Sequence, residues 1–121
     1  MRPMRPRPPL EKALQERIRQ ALLDFGATLV EKTHGNAFQA GWPDLMVVRP
    51  HVDPLARSLA RRGALGSFVQ WVEVKRPTGK LTRAQRARFA SWERAGLGVW
   101  VIDGPEHVSC LDEPPNWREW A

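Results

Sequence analysis

The chain is poor in the residues that build most small stapled or metal-clustered domains. It has no tyrosine, one cysteine, three histidines and three methionines in 121 residues. A lone Cys110 makes no intramolecular disulfide. With three scattered histidines it supports no Cys/His zinc cluster. That usage suits a reducing compartment, and a cytoplasmic setting is expected. No apolar run is long enough to span a bilayer. Residues 1–9 carry three arginines and four prolines with no apolar segment behind them. They are therefore not a secretory signal, and they read as an extended basic arm.

Positive charge is what the chain has in excess. There are 19 Lys+Arg against 13 Asp+Glu, a net charge of +6, and fifteen of the 19 are arginine. Arginine forks bidentately onto phosphate and is less hydrated than lysine. Such a balance calls for a polyanion, nucleic acid first and an anionic membrane second. A genome rich in arginine codons gives the same composition, so charge alone decides nothing. The length allows one domain, assigned to residues 10–121. Binding and chemistry must then share one surface.

Periodicity sets out the elements. Leu10, Leu14, Ile18, Ala21, Leu22 and Phe25 recur at helical spacing and predict a helix over 10–25, ended by Gly26. At 100° per residue, Glu11 falls inside that apolar arc, Gln15 on its edge, and Glu16 away from it. An inward acid needs a partner, although an acid in a first helical turn also complements the helix dipole. A short strand is expected over 27–32 and a loop over 33–40. The apolar run 45–48 suits a strand covered on both faces. Residues 50–67 admit either a short helix from Pro54, carrying Leu55, Leu59, Arg57, Arg61 and Arg62, or a mobile basic loop. A strand over 68–75 places Val69, Trp71, Glu73 and Lys75 on one face. A turn at 76–80 follows. Thr82 caps a helix over 83–95, with Gln85 completing a capping box. Gln85 also shares a face with Leu81, Phe89 and Trp92, which points it inward. Arg83, Arg86 and Arg94 lie opposite, toward solvent or phosphate. A strand over 98–102 and a turn at 103–105 complete the pattern. The tail 114–121 carries Trp117 and Trp120, placed to pack on the body or on a second subunit. The fold class expected is α/β, with elements in the order α-β-β-β-α-β.

Two short pieces carry the chemistry. Gly41-Trp42-Pro43-Asp44-Leu45 opens one apolar strand, and Glu73-Val74-Lys75 closes another 29 residues after Asp44. Two opposite charges two residues apart on so apolar a strand are unusual. A surface ion pair explains them alone, but not together with Asp44. Phosphodiester hydrolysis needs an activated water and neutralisation of phosphate charge, both within the reach of divalent metal. Mg²⁺ takes hard oxygen ligands, few of them from protein. Asp44, Glu73 and the Val74 backbone carbonyl are suited to that partial shell, with Glu11 adding a carboxylate directly or through water. Lys75 is placed to orient water or steady charge on the phosphate, and Gln85 to reach the site.

These residues resemble the VRR-NUC domain, the virus-type replication-repair branch of the PD-(D/E)xK nucleases. The matching positions are Glu11 and Gln15, Gly41-Trp42-Pro43-Asp44-Leu45, Glu73-Val74-Lys75, and Gly79-Lys80-Leu81-Thr82-x-x-Gln85, across about residues 10–103. The resemblance implies a restriction-endonuclease-like core, a central mixed sheet flanked by helices, and Mg²⁺- or Mn²⁺-dependent, structure-directed DNA cleavage. It also implies a homodimer acting on branched DNA such as four-way junctions, in a bacterial or phage setting. Arg57, Arg61, Arg62, Lys80, Arg83 and Arg86 are the expected DNA contacts. Three other readings stay open: a nucleic-acid-binding module without cleavage, a nuclease of flap or non-selective duplex specificity, and a basic surface for an acidic protein.

Overall fold

The computed structural model describes residues 9–33, 41–50 and 67–121. Helix α1 spans Pro9–Asp24. It stops where Gly26 takes φ +113°, a left-handed turn that glycine adopts without steric cost. The Ala27 N–H reaches back to the Leu22 carbonyl there at 3.0 Å, satisfying a carbonyl that the helix end exposes. Strands β1 (Leu29–Lys32), β2 (Leu45–Pro50) and β3 (Ser67–Val74) follow, then helix α2 (Arg83–Arg94) and strand β4 (Val99–Ile102). The sheet order is β1-β2-β3-β4. The first three strands are antiparallel neighbours, and β4 lies parallel to β3. Parallel pairing requires a crossover, which α2 supplies. The expected order and mixed sheet are therefore present.

Each face of the sheet has its own core. On one side Ile18 and Leu22 of α1 meet Val30, Leu45, Val47, Val72 and Ile102. Burying a side chain of this kind contributes about 1.5–3 kcal/mol. On the other side Phe89 of α2 meets Leu81, Val99, Val101 and Trp117. That second cluster draws on β4 rather than β2. As a result Met46 and Val48 are only half-buried while Leu45 and Val47 are sealed. The run 45–48 thus departs from the expected strand covered on both faces. It behaves as an antiparallel strand that packs one side, and it continues to Pro50.

The chain after β4 holds more structure than its pattern suggested. A 3₁₀ segment, Pro105–Asp112, sends Val108 and Leu111 into the α1-side core. Arg49 ties it to the sheet. Its guanidinium lies 5.1 Å from the Phe25 ring centroid and 5.6 Å from that of Phe68, and donates to Gln70 (3.1 Å) and Asp112 (2.8 Å). The tail packs back on the body. Trp117 is buried edge-to-face against Phe89 at 6.1 Å. Asn116 accepts from the Val101 N–H at 2.6 Å and donates to the Val101 carbonyl at 3.0 Å. Its amide thereby occupies backbone groups of an edge strand that would otherwise invite another strand. No described helix is long and apolar enough to cross a membrane.

Candidate active site

Strand register brings the two acids together. In the β2–β3 pair Leu45 faces Val72, and each step along one strand is matched by a step back along the other. One step beyond Leu45 sets Asp44 across from Glu73, where side chains stand about 5 Å apart on one face. The Pro43-Asp44 corner is held from β1. The Thr33 N–H donates to the Asp44 carbonyl at 2.9 Å, and the Thr33 hydroxyl donates to the Pro43 carbonyl. Asp44 Oδ2 accepts the Val74 N–H at 2.9 Å.

Glu73 is only 3% exposed. Its Oε2 accepts from Gln85 Nε2 at 2.7 Å and lies 3.5 Å from Lys75 Nζ. Its Oε1 is buried and has no hydrogen-bond partner among the described residues. Burial, and then the neighbouring negative charge of Asp44, push its pKa up to about 8 against the pull of Lys75 and Gln85. A buried carboxyl beside a second acid disfavours its own charge unless a cation shares the site.

Gln85 performs both jobs that its position suggested. Its Oε1 accepts the Thr82 N–H at 2.9 Å, and its own N–H donates to the Thr82 hydroxyl at 3.1 Å. The capping box therefore orients the amide so that Nε2 faces Glu73. Gln85→Glu keeps the cap acceptor but sets a carboxylate against Glu73. We expect unfolding temperature to stay within about 4–8 °C of the parent, the shift for 1 kcal/mol in a small domain. Cleavage is expected to fall by up to about 100-fold, the cost of a misplaced group in a site. Full activity with full stability would leave capping as the only role.

These groups line a cavity of about 380 Å³ that also takes in Glu11, Gln15, Val74, Arg76 and Lys80. Glu11 stands more than a third exposed and pairs with Arg76 at 3.7 Å. It faces the site as its helical position implied, with a cationic partner already beside it. The sequence pattern marks Arg76 only as part of a turn, although its place directly after Lys75 at a strand end is a usable signal. Among the expected DNA contacts, Lys80 lines the cavity and Arg83 is exposed. Arg86 donates to the Leu81 carbonyl at 3.0 Å and so braces the entry to α2. Arg57, Arg61 and Arg62 lie outside the described residues. Cys110 takes no part. Burial pushes its thiol up to about 11, so it carries no thiolate near neutrality.

Does the donor set suit a divalent cation? Among the described residues, no group of three or more His, Cys, Asp or Glu is placed to hold one. Mg²⁺ does not need such a group, since it commonly takes one or two carboxylates and fills its shell with water and phosphate. Asp44 and Glu73 are such a pair, and the unpartnered Oε1 of Glu73 is an oxygen that a cation would satisfy. The residues fit.

Two comparisons with known proteins bear on the site. The model of the VRR-NUC domain matches residues 5–105. No curated protein matches the chain.

Proposed function

The chain belongs to the VRR-NUC family, a nuclease-type domain, and from that premise we propose that it is a metal-dependent endonuclease cutting branched DNA. The observation that carries this reading is Glu73, sealed in a cavity beside Asp44 with one oxygen unsatisfied and Lys75 on the other. Asp44, Glu73 and the Val74 carbonyl would hold Mg²⁺ or Mn²⁺. Bound there, the metal supplies charge neutralisation on the phosphate and an activated water. Gln85 fixes one Glu73 oxygen and leaves the other for the site. Lys75 brings an ammonium to the same carboxylate and steadies charge on the phosphate. The net positive surface holds the duplex, and each phosphate contact adds about −0.9 to the log–log salt slope.

Four-way junctions are included in the proposed substrates. Their resolution needs two symmetric cuts, which one small domain does not supply alone. A C₂ homodimer does. The arm at 1–9 and the 51–66 arginines are proposed to grip the DNA arms. The test is cleavage of linear duplex, flap and four-way substrates with Mg²⁺, Mn²⁺ or EDTA, beside light scattering. Metal-dependent cutting of branched DNA by a dimer is expected. Equal cutting of all shapes by a monomer would leave a non-selective nuclease, and no cutting at all would leave a binding module.

Glu73 gives a second readout that does not depend on activity. Its folded pKa of about 8 stands above the ordinary value of 4.5. The folded state therefore binds the proton more tightly across that window. The resulting stability is fully present below about pH 4.5 and is lost as pH rises to about 8. Thermal unfolding in EDTA should show this decline, and Glu73→Gln should flatten it. Added Mg²⁺, which favours the charged carboxylate, should raise Tm more near pH 8 than near pH 5. An equal effect at both pH values would count against Glu73 as a ligand.

A further inference from the structure

We propose that Trp120, with Pro77 and Lys80, forms a stacking subsite for one unpaired nucleobase beside the cleavage site. The proposal rests on the nuclease reading and names the feature of the DNA that the site selects. A second groove, of about 360 Å³, runs along the turn after β3 and is lined by Pro77, Gly79, Lys80, Glu119, Trp120 and Ala121. Gly79 and Lys80 line both it and the active-site cavity, so the two adjoin at this turn. A strand with its phosphate at Lys75 has this groove as its neighbour.

The chemistry of the groove points to a nucleotide. Trp120 is half-buried, packed on one side against the Leu81, Phe89 and Trp117 cluster while also lining the groove. Its backbone is pinned, since the Leu81 N–H donates to the Trp120 carbonyl at 3.0 Å. An aromatic ring ordered in advance loses little freedom when a base stacks on it. Lys80 supplies a cation for the adjoining phosphate. The Glu119 carboxylate is an acceptor for an exocyclic amino group of cytosine, adenine or guanine. A paired base keeps its faces in the duplex stack, so only an unpaired one is available to Trp120. The subsite therefore favours frayed, flapped or junction DNA over continuous duplex. Trp120 lies beyond the residues matched to the family, 5–105, and so belongs to this chain's own tail.

The test uses the full chain in EDTA, where binding is read without cleavage. The probes are a splayed DNA with 2-aminopurine at the first unpaired position and a fully paired duplex of equal length. Stacking on an aromatic side chain is worth enough to change affinity about tenfold. Trp120→Leu, which keeps an apolar side chain without a π-face, should weaken splayed-DNA binding by about that factor. It should also abolish the 2-aminopurine quenching and leave duplex binding unchanged. Trp120→Phe should retain both signals. Equal weakening on both DNAs, or quenching that survives in Trp120→Leu, would overturn the subsite. Cross-linking from an unpaired 5-iodouracil in the unsubstituted protein tests the same contact with no risk to folding. Attachment to the Trp120 peptide supports it, and attachment only elsewhere overturns it. Selective binding without cleavage of any DNA in Mg²⁺ would sink the nuclease reading and spare the subsite. Cleavage indifferent to Trp120 would do the reverse, and absence of all DNA binding would end both.

Discussion

Asp44→Asn is expected to abolish metal-supported cleavage, by at least about 10³-fold, the scale for losing one charge-stabilising group in a dry site. The fold should survive. Asparagine keeps a side-chain oxygen to accept the Val74 N–H now bonded to Asp44 Oδ2 at 2.9 Å. What it removes is the charge. Asp44→Ala removes both, and leaving that N–H unsatisfied costs about 1–3 kcal/mol. The pair of variants thus separates chemistry from stability. Calorimetry should show Mn²⁺ binding lost in Asp44→Asn, with unfolding temperature near that of the parent. Unchanged Mn²⁺ binding would remove Asp44 from the ligand set.

Lys75→Ala should lower the cleavage rate at least about 100-fold, the usual loss for a positioned acid–base or electrostatic group. Lys75 Nζ sits 3.5 Å from Glu73 Oε2 with its side chain 17% exposed, close to the acids and largely out of bulk water. Arg76, the next cation along the chain, is engaged with Glu11. Affinity for DNA, read by anisotropy in EDTA, should hardly change, since phosphate binding is shared among many basic residues. Lys75→Arg should not rescue the rate, because a planar fork does not reproduce a compact ammonium. Near-normal turnover in Lys75→Ala would take this residue out of the mechanism. A parallel loss of DNA binding would make it a grip on the backbone instead.

Much of this site was legible before any fold was known, because its signals are local. Period-two alternation placed Glu73 and Lys75 on one strand face, and they meet at 3.5 Å. A Thr-x-x-Gln box marked the start of α2, and both of its hydrogen bonds are present. Helical spacing turned Glu11 and Gln15 toward one side, and both line the cavity. Element ends differ by a residue or two, as expected where termini fray. The segment Pro105–Asp112 had no such signal. Its eight residues send only two side chains into the core, Val108 and Leu111, one 3₁₀ turn apart, and two positions do not display a repeat.

The sequence alone determined the order of the elements and the class of the fold, and it named the candidate residues for the chemistry. The elements follow from propensity and periodicity within a dozen residues, and the candidates from short motifs read together. Tertiary structure decided who meets whom. The β2–β3 register set Asp44 opposite Glu73 across 29 positions. The α2 crossover carried Gln85 to the Glu73 carboxylate. Packing of the tail on Phe89 brought Trp120 beside the turn that carries Lys80. Register, crossover and docking are settled by burial shared among distant segments, and no local pattern records which segments will share it.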